Sequence, residues 1–180
     1  EIGSGLVGSE MCIRDRDIYC EKYADETELM LQKNNMSEAE REEFLDRFSE
    51  ESDRTLVAFG IMGGIFGEGI DLKNDRLIGA IVVGTGLPQI SNERTILKDY
   101  YDAENGCGFD YAFRYPGINK VLQAAGRVIR TTEDTGVILL LDERFWQREY
   151  DLLYPREWSD RKPCNIANVG KLVADFWEQI

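Results

Sequence analysis

Three apolar runs, separated by segments with helical periodicity, constrain the fold of this chain more than any other feature. The runs read RTLVAFGI from Arg54, LIGAIVVG from Leu77 and GVILLLD from Gly136, and each is continuous and contains β-branched residues. Such runs are typical of strands buried on both faces of a parallel sheet. The intervening segments predict right-handed crossovers. The sequence therefore predicts an α/β fold, with a mainly parallel sheet and helices on both faces.

Shorter signals complete the expected order of elements. Ser37 is followed three residues later by Glu40, a capping box that predicts the start of a helix in MSEAEREEFLDRFSEES. We also expect the end of a helix in DIYCEKYADE, a short strand in ELMLQKN, helices in SNERTILKDYYDAE and GINKVLQAAGRVIRT, and a C-terminal helix in NVGKLVADFWEQI.

The first sixteen residues differ in character from the rest. They show no apolar period, and LVGSEMCIRDR, residues 6–16, resembles the translation of a transposon-end adaptor used in sequencing libraries. We therefore expect residues 1–16 to be a non-native or disordered leader. Residues 17–180 are then one domain, a fragment of a larger protein.

Charge and cysteine content limit the classes of function. The net charge is −13, and residues 17–55 hold 13 acidic and 5 basic side chains against 12 and 10 in residues 56–148. Without a basic stripe, any contact with nucleic acid would use backbone amides, helix N-termini and a few arginines. The chain has no histidine and no C-x-x-C pair, so we expect no metal site and no iron–sulfur cluster in it. Widely spaced cysteines and short apolar runs favour a cytoplasmic protein without membrane contact.

The stretch VLQAAGRVIRT places three polar side chains at helical spacing. Gln123, Arg127 and Arg130 are four and three residues apart, so a continuous helix would hold them on one stripe facing away from the core. Gly126 suggests a close approach to the backbone. The alternative is an ordinary solvated face. The opposite, buried face is predicted to hold Ile118, Val121, Leu122, Ala125, Val128 and Ile129.

A glycine-rich segment follows the first of the three apolar runs. FGIMGGIFGEGIDL, Phe59–Leu72, contains five glycines, which allow positive φ angles and bring N–H groups against a ligand such as a phosphate. It is neither a Walker A loop nor a dinucleotide fingerprint. The alternative is a mobile surface loop in which Glu68 and Asp71 are solvated. Because ligands bind beyond the carboxyl ends of parallel strands, this segment and the helix before the third run are candidates for one crevice.

GGIFGEGIDL and QAAGRVIR together resemble motifs V and VI of superfamily 2 helicases, in the branch that contains DinG and XPD, most closely bacterial DinG-like proteins. VVGTGLP and GVILLLDERF also fit that branch, and the resemblance covers roughly residues 28–150. It implies the second of two RecA-like motor domains.

The resemblance also implies roles for individual residues. Gln123 would lie near the γ-phosphate of ATP, and Arg127 and Arg130 are arginine-finger candidates. Gly69 and Asp71 would belong to the ATP site, with Asp71 on the ribose. Residues implied to couple that site to the DNA groove are Gly64, Glu68, Thr85 and Arg94.

Two of these assignments compete with simpler alternatives. A solvated helix position is favoured over strand contact for Arg94. The aromatic segment FDYAFRYPG, Phe109–Gly117, either stacks on bases or packs as a loop lid.

Features missing from the sequence define what this chain would need from elsewhere. It contains no phosphate loop, DEAH-type magnesium site or four-cysteine cluster, so the resemblance implies that ATP and Mg²⁺ are held mainly by a first motor domain. We expect a 5′-to-3′ DNA helicase motor, inactive alone, that acts in DNA repair on single-stranded DNA or DNA junctions. The alternative is a non-catalytic RecA-like module that binds a nucleotide or a protein. The intact Q-x-x-G-R-x-x-R sequence favours the motor.

Overall fold

The computed structural model describes residues 16–33, 35–49, 52–63 and 77–180. The chain divides into two compact units that meet between Leu141 and Asp142 in sequence. The first unit has the fold class predicted from the sequence, α/β with parallel strands. Its elements are α1 (16–23), β1 (Thr27–Leu31), α2 (Glu38–Asp46), β2 (Thr55–Phe59), β3 (Gly79–Val83), α3 (Asn92–Asn105), a π-helix (Asp110–Arg114), α4 (Tyr115–Ala125) and β4 (Val137–Leu141).

The strands form two parallel pairs. β1 pairs with β2 from Thr27 opposite Thr55, and β3 pairs with β4 from Gly79 opposite Val137. A helical crossover joins the strands of each pair, as the sequence predicts: α2 connects β1 to β2, and α3, the π-helix and α4 connect β3 to β4. All three apolar runs and the ELMLQKN segment are therefore confirmed as strands. Among the described residues, however, the two pairs are separate two-stranded sheets rather than one.

The expectation that the apolar runs are buried on both faces is wrong for β3. Val82 is buried, whereas Ile81 and Val83, which point to the other face, are 64% and 58% exposed. A run of apolar residues records the tendency to be buried, but burial also needs another element packed on each face.

The capping box predicted for α2 is present. The Ser37 hydroxyl accepts a hydrogen bond from the N–H of Glu40 at 3.3 Å, and the Glu40 carboxylate accepts the N–H of Ser37 at 2.8 Å. The backbone N–H and the hydroxyl of Ser37, which both donate to the Glu40 carboxylate, hold the pKa of Glu40 below its ordinary value. Phe44 is the buried residue of this helix.

The aromatic segment before α4 is helical and not a loop. Asp110–Arg114 is a π-helix that runs directly into α4. It follows a tight corner in which Gly106 ends α3 in the left-handed conformation and the N–H of Gly108 donates to Asp102 Oδ1 at 2.8 Å. The buried apolar residues of the π-helix, α4 and the turn after it are Ala112, Phe113, Ile118, Val121, Ala125 and Val128.

The second unit, from Asp142, is small and helical. Tyr154 donates a hydrogen bond from its hydroxyl to the carbonyl of Phe145 at 2.7 Å, and burial raises its pKa to about 12. The C-terminal helix predicted from the sequence is confirmed. The elements of this unit are a 3-10 turn (Glu143–Trp146), α5 (Arg148–Asp151), a second 3-10 turn (Arg156–Trp158) and α6 (Val169–Trp177).

Candidate functional site

Two turns at the carboxyl ends of β2 and β3 meet the first half of α4. The turn after β3 has positive φ at Gly84 and Gly86, and a methyl group on Gly86 would lie 2.7 Å from the carbonyl oxygen of Gly117 and 2.8 Å from Met62 Sδ. From the other side, a methyl group on Gly117 would lie 2.7 Å from the carbonyl oxygen of Thr85. The backbones touch here because these positions carry no side chains.

The turn after β2 reaches the same helix. Gly63 has φ +85°, and the Cδ and Cε atoms of Lys120 lie 3.5 Å from where its side chain would begin. The start of this turn is held by Gln32, which follows β1 and accepts the N–H of Ile61 on its Oε1 at 3.1 Å. The glycine-rich segment is thus next to α4 as far as Gly63, and the crevice itself stays a prediction. Gly64, Glu68, Gly69 and Asp71 lie outside the described residues.

Lys120 is a candidate site residue that the sequence analysis did not name. It is half-buried, lies over Gly63 and stands three residues before the exposed Gln123, so the two side chains share a face of α4. The spacing was visible in the sequence. The sequence did not show that the turn after β2 approaches this face of α4 at Lys120.

The predicted stripe of Gln123, Arg127 and Arg130 does not lie on one continuous helix. α4 ends at Ala125, and tighter bonds from Arg127 N–H to Ala124 O (3.1 Å) and from Val128 N–H to Ala125 O (3.0 Å) close the last turn. Beyond Ala125, helical spacing therefore no longer places Arg127 and Arg130 on the same face as Gln123. The predicted buried face is confirmed at Ile118, Val121, Ala125 and Val128, whereas Leu122 is half-buried and Ile129 is exposed.

The suggestion of a close approach at Gly126 is not supported within the described part of the chain. A methyl group there would meet the carbonyl oxygens of Leu122 at 3.2 Å and Gln123 at 3.7 Å, both in the preceding turn of the same helix. Gly126 therefore marks the end of α4, where its N–H donates to Leu122 O at 2.8 Å.

The two arginines after α4 are half-buried rather than fully outward. In Arg130, the Nε and Nη2 atoms are buried. The turn that follows is closed by Asp134, whose Oδ2 accepts the N–H of Arg130 at 2.9 Å and the N–H of Thr131 at 2.7 Å. These bonds lower the pKa of Asp134, and the Arg130 cation adds to the effect.

Thr85 is placed inside the protein. It is 1% exposed, and within the described residues its hydroxyl has no hydrogen-bond partner. The buried Thr85 hydroxyl cannot contact a DNA strand in this conformation. Any contact between this turn and DNA would therefore be made by the backbone atoms around Thr85.

Arg94 has a structural contact that neither sequence alternative included. It is half-buried, and its Nη1 donates to the carbonyl of Ala112 in the π-helix at 3.1 Å. The bond joins α3 to the π-helix, in which an N–H donates five residues back rather than four, as from Tyr115 N–H to Asp110 O. Ala112 is fully buried, so a donor is needed there. A solvated helix position is thus the wrong description of Arg94.

Replacing Arg94 by methionine should therefore destabilise the chain by about 1 to 3 kcal/mol, because a buried carbonyl loses a donor while the apolar stem is retained. Urea unfolding of the 180-residue chain measures this. Arg41→Met, on the exposed face of α2, is the matched control and should change stability by less than about 0.5 kcal/mol. Equal losses in the two variants would contradict the prediction.

The aromatic side chains of the Phe109–Gly117 segment pack largely on one another. Tyr111 stacks on Tyr101 with ring centroids 4.0 Å apart and planes at 10°, and meets Tyr115 edge-on at 5.2 Å. Phe109 stacks on Phe113 at 5.5 Å, and the Arg114 guanidinium lies over the Phe109 ring. These contacts support the packing alternative. Stacking on bases stays a prediction for the exposed parts of Phe109 and Tyr111.

The described part of the chain offers neither a metal site nor a membrane-spanning helix. It contains no cluster of three or more His, Cys, Asp or Glu side chains arranged to hold a metal ion. Cys20, Cys107 and Cys164 are free thiols. No helix in the same residues has the length and apolar character needed to cross a membrane.

Comparison with known proteins gives one consistent family. The model of the helicase C-terminal domain matches residues 14–161. The chain is 32% identical over 145 residues to the ATP-dependent DNA helicase XPD of Sulfolobus acidocaldarius, and 30% identical over 138 residues to the ATP-dependent DNA helicase DinG of Photobacterium profundum. These matches cover 75% and 72% of this chain but 24% and 20% of the relatives. The regulator of telomere elongation helicase 1 of Bos taurus is 30% identical over 113 residues, 58% of this chain and 9% of that protein. The chain thus spans about a quarter or less of these relatives.

Proposed function

The chain belongs to the helicase C-terminal domain family of the DinG and XPD type, and from this we propose that it is the second RecA-like motor domain of an ATP-dependent DNA helicase. The observation that carries the proposal is the meeting of the turns after β2 and β3 with α4, next to the segment that bears Gln123, Arg127 and Arg130. Gly63, the first residue of the stretch that resembles motif V, meets α4, and α4 carries Gln123, the first residue of the stretch that resembles motif VI.

The donors of this region suit a polyphosphate. Gln123 is exposed, Arg127 and Arg130 are half-buried, and Lys120 lies over the turn after β2. Amide and cationic donors bind phosphate oxygens, and an arginine keeps its charge throughout the reaction. ATP and Mg²⁺, held mainly by the first motor domain of the parent protein, would supply the phosphoryl group that is transferred.

Each residue then has a distinct task. Gln123 orients groups at the γ-phosphate, and Arg127 and Arg130 act as arginine fingers that stabilise the charge of phosphoryl transfer, for which the buried Nε and Nη2 of Arg130 would have to turn towards the phosphate. Gly69 and Asp71 complete the nucleotide site. Gly64, Glu68 and the backbone of the turn around Thr85 couple it to a groove for single-stranded DNA. Arg94 supports this surface indirectly, through the carbonyl of Ala112.

The purified chain should not hydrolyse ATP by itself, because nothing in its sequence resembles a phosphate loop or a DEAH-type magnesium site. The measurement is phosphate release with Mg²⁺ and single-stranded DNA, compared between the chain and its Arg130→Ala variant. Contaminating activity would be equal in both samples. Turnover that Arg130→Ala abolishes would show that the chain holds a complete site. It would contradict the proposal that ATP and Mg²⁺ are held mainly by the first motor domain.

Assays of the full-length protein test whether it is an active ATP-dependent DNA helicase. We expect hydrolysis of ATP stimulated by single-stranded DNA, and unwinding of duplexes that carry a 5′ overhang in preference to a 3′ overhang. DNA junctions should also be substrates, in keeping with a cytoplasmic role in DNA repair. Nucleotide binding without DNA-stimulated turnover would favour a non-catalytic module instead.

A further inference from the structure

The turn after Arg130 is organised by a single carboxylate oxygen. Oδ2 of Asp134 accepts two backbone hydrogen bonds, from Arg130 at 2.9 Å and from Thr131 at 2.7 Å. A third bond, from the N–H of Glu133 to the Thr131 hydroxyl at 3.2 Å, closes the same turn. Three backbone N–H groups of this turn, those of Arg130, Thr131 and Glu133, therefore donate to side-chain acceptors.

These acceptors act where the helical backbone bonds have ended. α4 stops at Ala125, and its tightened last turn ends with a 3.4 Å bond from Ile129 N–H to Ala125 O. Arg130 is the next residue, and its N–H turns to Asp134 instead of to a carbonyl of the helix. The backbone at Arg130, from which its side chain extends, is thus held by Asp134 rather than by the helix.

From this geometry we infer that Asp134 is a positioning residue for Arg130, holding the backbone so that the guanidinium is presented in one direction. The inference rests on the proposed function, in which Arg130 acts on a transferring phosphoryl group. Displacement of a catalytic group by about 1 Å can lower a rate by about 10²-fold, so backbone placement at this residue has a kinetic consequence. Asp134 itself touches no substrate in this scheme.

The nature of the acceptor gives a test by conservative replacement. Both bonds end on one oxygen, and the single carbonyl oxygen of asparagine can accept both. Alanine has no acceptor. The backbone bonds also lower the pKa of Asp134, so the carboxylate is ionised throughout the neutral range in which turnover is measured.

The experiment compares four single variants and one double variant of the full-length protein in DNA-stimulated ATP hydrolysis. Asp134→Ala should lower kcat by about 10²-fold and leave KM for ATP unchanged, while Asp134→Asn retains most of the turnover. Glu133→Ala, the exposed neighbouring acid, is the matched control and should behave as the parent protein. Arg130→Ala should lower kcat at least as much as Asp134→Ala, and combining the two should add little to Arg130→Ala alone.

The outcomes distinguish the finger role of Arg130 from the positioning role of Asp134. Normal turnover in Arg130→Ala would overturn the finger role and the inference with it. A large loss in Arg130→Ala with normal kcat in Asp134→Ala would overturn the inference alone, as would an Asp134→Asn variant as slow as alanine. If Asp134→Ala unfolds at the assay temperature, Asp134→Glu takes its place: it keeps the carboxylate but moves the acceptor by one methylene group, so it should lower kcat, and a normal kcat would overturn the inference.

Discussion

Replacing Arg130 by lysine in the full-length protein is expected to lower the turnover of DNA-stimulated ATP hydrolysis by about 10³-fold or more. An arginine finger acts through a planar fork whose N–H groups can engage two phosphate oxygens at once. Lysine keeps the charge but offers one ammonium group at a different distance.

A melt of each protein distinguishes loss of chemistry from loss of fold. Arg41→Lys, on the exposed face of α2, should change neither turnover nor the melting temperature. Arg127→Lys should change turnover in the same direction as Arg130→Lys. Normal turnover in Arg130→Lys would remove the finger role from this residue. A collapsed melt would instead make Arg130 a structural residue of the turn.

Replacing Gly117 by alanine is expected to destabilise the chain by about 1 to 3 kcal/mol, although helix propensity favours alanine over glycine by about 1 kcal/mol. The added methyl group would lie 2.7 Å from the carbonyl oxygen of Thr85 and 3.2 Å from the backbone nitrogen of Leu87. Neither contact can be relieved by rotating a side chain. The turn after β3 must therefore move away from α4, at the point where the candidate site is assembled.

Gly170→Ala in α6 is the matched control, because a methyl group there meets no atom within 4 Å. Helix propensity alone predicts unchanged or slightly higher stability for that variant. Urea unfolding of the two variants and the parent chain measures the difference. A Gly117→Ala protein as stable as Gly170→Ala would mean that the turn and the helix are not in contact.

Local sequence patterns were sufficient where the structure depends on neighbours in the chain. Three strands were predicted from apolar runs, the fourth from ELMLQKN, and the start of α2 from Ser37 and Glu40, because strand burial and helix capping each leave a short-range signature. The meeting of the glycine-rich segment with α4 followed from a general property of parallel strands, and it holds as far as Gly63.

Periodicity failed where the backbone changes its hydrogen-bonding pattern. The sequence from Ile118 to Arg130 has apolar residues at helical spacing throughout, yet α4 ends at Ala125. The π-helix before α4 went unpredicted because it differs from an α-helix in its backbone bonds, as in Tyr115 N–H to Asp110 O, five residues back. A repeat of side chains cannot report which carbonyl each N–H selects.

The sequence by itself determined the fold class, the order of the strands and helices, and the motifs that resemble those of a helicase motor. Only the tertiary structure decided which side chains support the site: Arg94 on the carbonyl of Ala112, Lys120 over Gly63, and Asp134 on the backbone of Arg130. The first two contacts join residues 18 and 57 positions apart in the chain, and the third forms only because α4 ends before Arg130. Spacing along a sequence carries information about residues on the same element, whereas these contacts depend on how separate elements meet and where one of them stops.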